Sequence, residues 1–311
     1  MKKSWQPPVV LLLVSGLFWL LLDANDVRTA VIEGLVLCAE SVIPALFPFL
    51  TVSSLLLSLG FGDFLAKRLS GLMRLYRIPG SGSAALLLGL LGGYPVGART
   101  VVQLVESRQL SPEEGGRLLS FCNNSNPAFL INVLGTGIFH SFRAGCWLWG
   151  IHVFSALLSG LLCCRIFHKP HSLQEHPRRN RPYALFVSVH FSTALVQAVE
   201  TALTAMLSVC AFVTFFYVLA LPLRQIPGIT GTLLTGFLEL FSATPRLSPT
   251  AAGWVLAAGL SGWGGCSVHC QTLAILSGSG LSMLRPYLLG KGLQALLSAV
   301  FAGLLCQAAV F

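Results

Sequence analysis

Charge is scarce in this chain. Only 10% of its 311 residues are Asp, Glu, Lys or Arg, and just 11 of them are acidic. A soluble domain carries about a quarter charged residues, so this composition cannot build a water-facing surface. Strand-type alternation is also missing from the long apolar runs, which excludes a barrel of short alternating membrane strands. There is no P-loop, no Rossmann glycine pattern and no Gly-x-Ser-x-Gly elbow, so nucleotide hydrolysis and serine-hydrolase chemistry have no basis here. The nine cysteines give no disulfide framework. Cys38, Cys163, Cys164, Cys210 and Cys306 stand inside apolar stretches, where a thiol behaves as a small hydrophobe. Cys266, His269 and Cys270 fit no zinc spacing, and no second cluster completes a four-ligand site, so no metal or other cofactor is expected. His152, His190 and His269 lie on different segments without a nucleophile partner, and the expectation is that the chain is not an enzyme.

What is present is apolar: 54% of the residues, with a mean hydropathy of +0.76. Val9 to Leu22, Val31 to Leu59, Phe186 to Leu221 and Leu288 to Phe311 are long and nearly uncharged, and read as helices crossing roughly 30 Å of hydrocarbon. The fold class expected is an all-α polytopic membrane protein. The first run follows Lys2 and Lys3, but no small-residue cleavage pattern follows it, so it is read as a retained helix. The formal charge of +9 sits in short loops rather than on one face, which makes it a topology signal and not a nucleic-acid surface. Lys67, Arg68, Arg74, Arg77 and the dense basic loop from Arg165 to Arg181 fall on the cytoplasmic side when the N-terminus is cytoplasmic. The expected location is the inner (cell) membrane, with lipid as solvent and a homo-oligomer left open.

The chain divides into a first helix and outer loop (1–28), a first repeat (29–167), a basic cytoplasmic loop (168–184) and a second repeat (185–311). Glu33 to Phe49 can be laid over Glu200 to Phe216, Gly92 to Val96 over Gly264 to Val268, and Ser159 to Cys163 over Ala302 to Cys306, in the same order. The charge pattern makes Gly92 approach from the cytoplasm and Gly264 from outside, so the halves are expected to be inverted, each with a re-entrant hairpin and a broken helix.

The hairpins are expected at 83–107 and 249–277. The first is interrupted by Gly92, Gly93, Tyr94, Pro95 and Gly97, and the second by Gly264 and Gly265, with Ser267, His269 and Gln271 beyond. Irregular backbone at membrane depth survives only where protein buries it or water lines it. Glycine lets a ligand approach the backbone, and helix N-termini after each tip offer N–H donors; the plainer reading is a kink or close glycine packing. Asn123, Asn124, Ser125 and Asn126 precede Pro127 inside an apolar stretch. Proline disfavours helix at the residue before it, so an unwound segment would present amides to a solute or ion, the alternative being an N-cap at Asn126. Glu40 and Glu200 are intramembrane carboxylates and candidates for coupling H+ or Na+; Arg99 and Lys291 also lie in membrane segments.

At Gly92 to Ala98, Phe121 to Pro127 and Gly264 to Gln271 the sequence resembles the YlbJ-type sporulation integral membrane proteins of spore-forming Firmicutes. Those are grouped with the broader nucleoside-recognition or Gate-domain proteins, whose relatives include concentrative nucleoside transporters. The resemblance implies paired re-entrant hairpins around a midplane site, and a late-sporulation role moving dipicolinate, an aromatic dicarboxylate. It departs in the second half, where Leu281 to Pro286 stands in place of an Asn-Asn-Ser-Asn-Pro segment. The expected function is secondary transport of a small polar or anionic solute by alternating access, with a non-transporting scaffold or assembly factor as the alternative.

Overall fold

The computed structural model describes residues 6–59, 61–167, 190–279 and 284–309. The basic loop expected at 168–184 therefore lies outside the described residues. Among the described residues every regular element is helical, as expected for an all-α polytopic membrane protein. The first half runs α1 (Gln6–Leu22), α2 (Ala24–Leu37), a π turn (Cys38–Val42), α3 (Ile43–Ser58), α4 (Phe61–Leu75), α5 (Gly82–Leu91), α6 (Val96–Glu106), α7 (Pro112–Cys122), a π-helical segment (Ala128–Ile138) and α8 (Phe142–Ile166). The second half runs α9 (Phe191–Leu219), α10 (Leu221–Arg224), α11 (Gly228–Leu238), α12 (Leu240–Ala243), α13 (Ala251–Trp263), α14 (Cys266–Ser279) and α15 (Leu284–Ala309). Three helices, α8, α9 and α15, are long and apolar enough to cross a bilayer, and α1 joins α2 through a 92° bend.

The packing follows membrane rules. On α9 the buried stripe is alanine, with Ala194, Ala198 and Ala202 at most 1% exposed, while Leu195, Leu203 and Leu207 point outward. Lipid is as apolar as leucine, so burying leucine gains little; small residues instead let backbones approach. The π turn at Cys38–Val42 sits just before Pro44, whose missing N–H removes the bond that an α-helix would give to Glu40.

One packing plan occurs twice. In the first half α5 pairs with α6, α5 with α7, and α7 with α8; in the second α11 pairs with α12, α11 with α13, and α13 with α15. Across the halves α7 packs on α15 and α13 on α8, while α3 lies against the π-helical segment as α9 lies against α14. In the second half the pair that packs as α5 and α6 do is α11–α12, joined at Glu239, while Gly264–Gly265, inside the stretch expected as a hairpin at 249–277, interrupts the helical run between α13 and α14. Consistent with this, α5 and α6 pack on each other, whereas α13 lies along α15 and α14 lies against α9 and α6. Ser159–Cys163 lies on α8 and Ala302–Cys306 on α15.

Candidate functional site

The tips of the two helix pairs, the turns at Gly92–Pro95 and at Glu239, come together with the two helix breaks at Asn123–Asn126 and Gly264–Gly265. Asn123 adopts an extended conformation (φ −99°, ψ 99°), and Asn123 to Asn126 run without helical structure between α7 and the π-helical segment, all four buried. The exposed chain ends of the broken helix are satisfied locally. Asn124 Nδ2 donates to Phe121 O at 2.7 Å, and Asn126 Oδ1 accepts from Phe129 N at 2.9 Å, so Asn126 is a cap as well as a site residue. Two glycines permit this arrangement: a Cβ at Gly89 or at Gly97 would collide with Cys122 O, so both arms of the first hairpin press bare backbone against the start of the unwound segment.

The remaining tip residues lock the elements together. Gly93, at φ +77°, faces Asn126, and a Cβ there would come within 2.9 Å of the Asn126 Cβ. Gly264, at φ +92°, faces Tyr94, whose hydroxyl would lie 2.7 Å from a Cβ at that position. Gly265 packs against Glu239 between α11 and α12. Gly92 and Pro95 are buried in the same turn, and Ser267 is fully buried at the start of α14.

A cavity of about 30 Å³ lies where these elements converge. Its polar lining is Tyr94, Ser125, Asn126 and Gln271; its apolar walls include Leu46, Phe129, Val209 and Phe241. Tyr94 OH, Asn126 Nδ2 and Gln271 Oε1 are buried and have no hydrogen-bond partner within the protein. Such groups are costly to leave unmade, and here three of them border one cavity.

Behind the Tyr94 ring lies a polar network. Lys291 on α15 is fully buried, donates to Asn123 O at 3.1 Å and to Gln294 Oε1 at 2.7 Å, and sits 5.3 Å from the Tyr94 ring centre. Gln294 Nε2 donates to Asn124 Oδ1 at 2.9 Å, and the backbone N–H of Ser125 donates to His152 Nε2 at 3.2 Å. Asn123 Nδ2 donates to Thr272 Oγ1 at 2.9 Å; Thr272 and His269 both reach the Tyr287 hydroxyl, at 3.2 and 2.9 Å. His152 and His269, separate in sequence, thus flank one network.

Of the residues expected at the site, the structure brings together the first tip, Asn123 to Asn126, Gly264, Gly265, Ser267, His269 and Gln271. It does not bring Glu40 or Glu200. Both are exposed, Glu200 on the face of α9 opposite its alanine stripe. Glu33 pairs with Arg224 at 2.7 Å and accepts from Tyr217 OH at 3.2 Å, tying α2 to α9 and α10. The buried lysine, Gln294, Tyr287, Thr272 and Glu239 were not expected there. Lys291 and Glu239 each carried a signal, an ionisable group inside an apolar stretch.

Fold and site together define a polytopic helical membrane protein built around a buried polar centre. The chain is similar to the sporulation integral membrane protein YlbJ of Bacillus subtilis (strain 168), with 28% identity over 313 residues that cover 88% of this chain and 76% of that protein. The YlbJ-type resemblance seen in the sequence motifs thus extends along nearly the whole chain. No protein-family model matches the chain, and no solved structure matches it.

Proposed function

We propose that this protein is a secondary transporter of a small polar or anionic solute in the cell membrane, working by alternating access during sporulation. The observation that carries the reading is the cavity between both tips and both breaks, with Tyr94 OH, Asn126 Nδ2 and Gln271 Oε1 unpaired around it. Discontinuous helices meeting near the centre of two repeated halves are how many transporters present backbone and amide groups to a solute. Lys291 adds a cationic anchor: a buried ammonium without a carboxylate beside it favours an anion arriving from outside. Dipicolinate, with two carboxylates on an aromatic ring, suits the donors Tyr94 OH, Asn126 Nδ2 and Lys291 Nζ and the aromatic walls Phe129 and Phe241. A cavity of about 30 Å³ accommodates roughly one water, so the tips separate to admit a solute of that size. The repeated packing plan supplies two halves that rock against one another, with the N-terminus on the cytoplasmic side.

The test is flux of dipicolinate and of nucleosides in proteoliposomes, comparing the wild type with Asn123→Ala and Lys291→Ala. Equal flux in all three discards the site. A second reading, a scaffold in spore maturation, draws on a groove of about 660 Å³ lined by apolar residues of α11, α13 and α15, among them Ile229, Phe237, Val255 and Ala299. Zero flux of every solute together with a stable co-purifying protein partner would favour it.

A further inference from the structure

Glu239 stands between α11 and α12 and is fully buried. Its carboxylate accepts from the backbone N–H of Ser242 and lies 3.5 Å from the Ser267 hydroxyl on α14, while its own N–H donates to Thr235 O at 2.8 Å. The Thr235 hydroxyl is buried and unpartnered, and the Ser242 hydroxyl and Phe241 N–H also face the carboxylate. The titratable groups facing Glu239 are Cys38 at the π turn and Tyr217 on α9, neither of which carries positive charge. The nearby cations are committed elsewhere. Arg246, just after α12, donates to Arg224 O and Ile226 O at 2.7 and 2.6 Å, and Lys291 is held by Asn123 and Gln294. On α14, His269 is engaged with Tyr287. Among the described residues no ion pair reaches Glu239.

An ionised carboxylate in such a place lacks the counter-charge that would offset its desolvation. The neutral donors around it, the N–H groups of Phe241 and Ser242 and the hydroxyls of Ser242 and Ser267, bring no positive charge. The group therefore enters this closed arrangement with a cation on it. Its position makes that requirement consequential, because Gly265, at the break between α13 and α14, packs directly on the Glu239 backbone. Separating the second hairpin tip from that break exposes the carboxylate to water, where the charge is tolerated.

We propose that Glu239 is the coupling carboxylate of the protein, taking a monovalent cation, H+ or Na+, in the closed state and releasing it when the α11–α12 tip parts from Gly265. The inference rests on the transport reading above and moves coupling from Glu40 and Glu200 to a residue inside the site. For Na+, the carboxylate and the hydroxyls of Ser242 and Ser267 offer hard oxygen ligands; for H+, the carboxylate alone suffices.

The experiment uses full-length protein in liposomes and dicyclohexylcarbodiimide, which attacks protonated carboxyls in apolar surroundings, with the modified peptide read by mass spectrometry. Glu239 is expected to be labelled, and labelling to fall about tenfold per pH unit once the carboxyl ionises. Replacing choline chloride by NaCl at fixed pH protects Glu239 if the cation is Na+ and leaves labelling unchanged if it is H+. In parallel, Glu239→Gln is expected to retain exchange of dipicolinate between equal pools while losing accumulation driven by an ion gradient; Glu239→Asp keeps both the label and some accumulation. Labelling confined to Glu40 or Glu200, or full gradient-driven accumulation by Glu239→Gln, overturns the assignment. Cation-sensitive labelling of Glu239 without flux of any solute supports the cation site and removes the transport reading instead.

Discussion

Lys291 donates a hydrogen bond to the main-chain oxygen of Asn123 at 3.1 Å, across 168 positions of sequence. The contact joins the last long helix to the unwound segment of the first half, and it leaves an amino group in the protein interior with only neutral partners. Replacing Lys291 by Met keeps the volume and removes the charge. The expected outcome is loss of anion flux by an order of magnitude or more, with thermal stability in detergent lowered by about 1–3 kcal/mol because Gln294 Oε1 and Asn123 O lose their donor. Retained flux of an anionic solute would separate Lys291 from substrate handling.

Tyr94→Phe makes the opposite kind of prediction. The hydroxyl it removes is buried without a partner, so folding stability should stay within about 0.5 kcal/mol of the wild type or rise. Solute affinity, read from the concentration dependence of flux, is expected to weaken about tenfold, the worth of one hydrogen bond to a charged acceptor. A stability loss without an affinity change would make the hydroxyl structural.

Gly97→Val tests the close approach of the first hairpin to the unwound segment. Its side chain would meet the backbone at Cys122 and Asn123, and backbone cannot move aside as a flexible side chain would. Destabilisation of about 1–3 kcal/mol or more is expected, visible as loss of monodisperse protein on size-exclusion chromatography. Gly150→Ala, on α8 where a Cβ meets nothing within 4 Å, is the control and should be neutral.

Glu33→Gln and Glu200→Gln should both leave flux within about twofold of the wild type. The Glu33–Arg224 pair has side chains that are 44% and 24% exposed, so its loss is expected to cost about 0–1 kcal/mol where water screens it. A flux defect in Glu200→Gln with unchanged stability would return coupling to the outer face of α9.

The unwound stretch at Asn123 to Asn126 was legible in the sequence, because Pro127 disfavours helix at its predecessor and four polar side chains cannot sit unpaired in lipid. The first tip was legible for a similar reason, a cluster of Gly and Pro inside an apolar run. The outward placing of Glu40 and Glu200 was not legible, because a carboxylate in an apolar helix looks the same whether its face turns inward or outward. Nor was the packing of α11 on α12, because no local motif at Glu239 announces it.

The sequence by itself therefore determined the environment of this protein, its helical class and the places where its helices break. Those follow from local constraints: too little charge to face water, backbone groups that must be satisfied within the chain, and residues that cannot continue a helix. Only the tertiary structure decided which breaks face each other, that Lys291 lies beneath Asn123, and that Glu239 is enclosed. Those depend on which helix faces pack together, and in a bilayer, where apolar side chains gain nothing by turning inward, hydrophobic pattern no longer tells inside from outside.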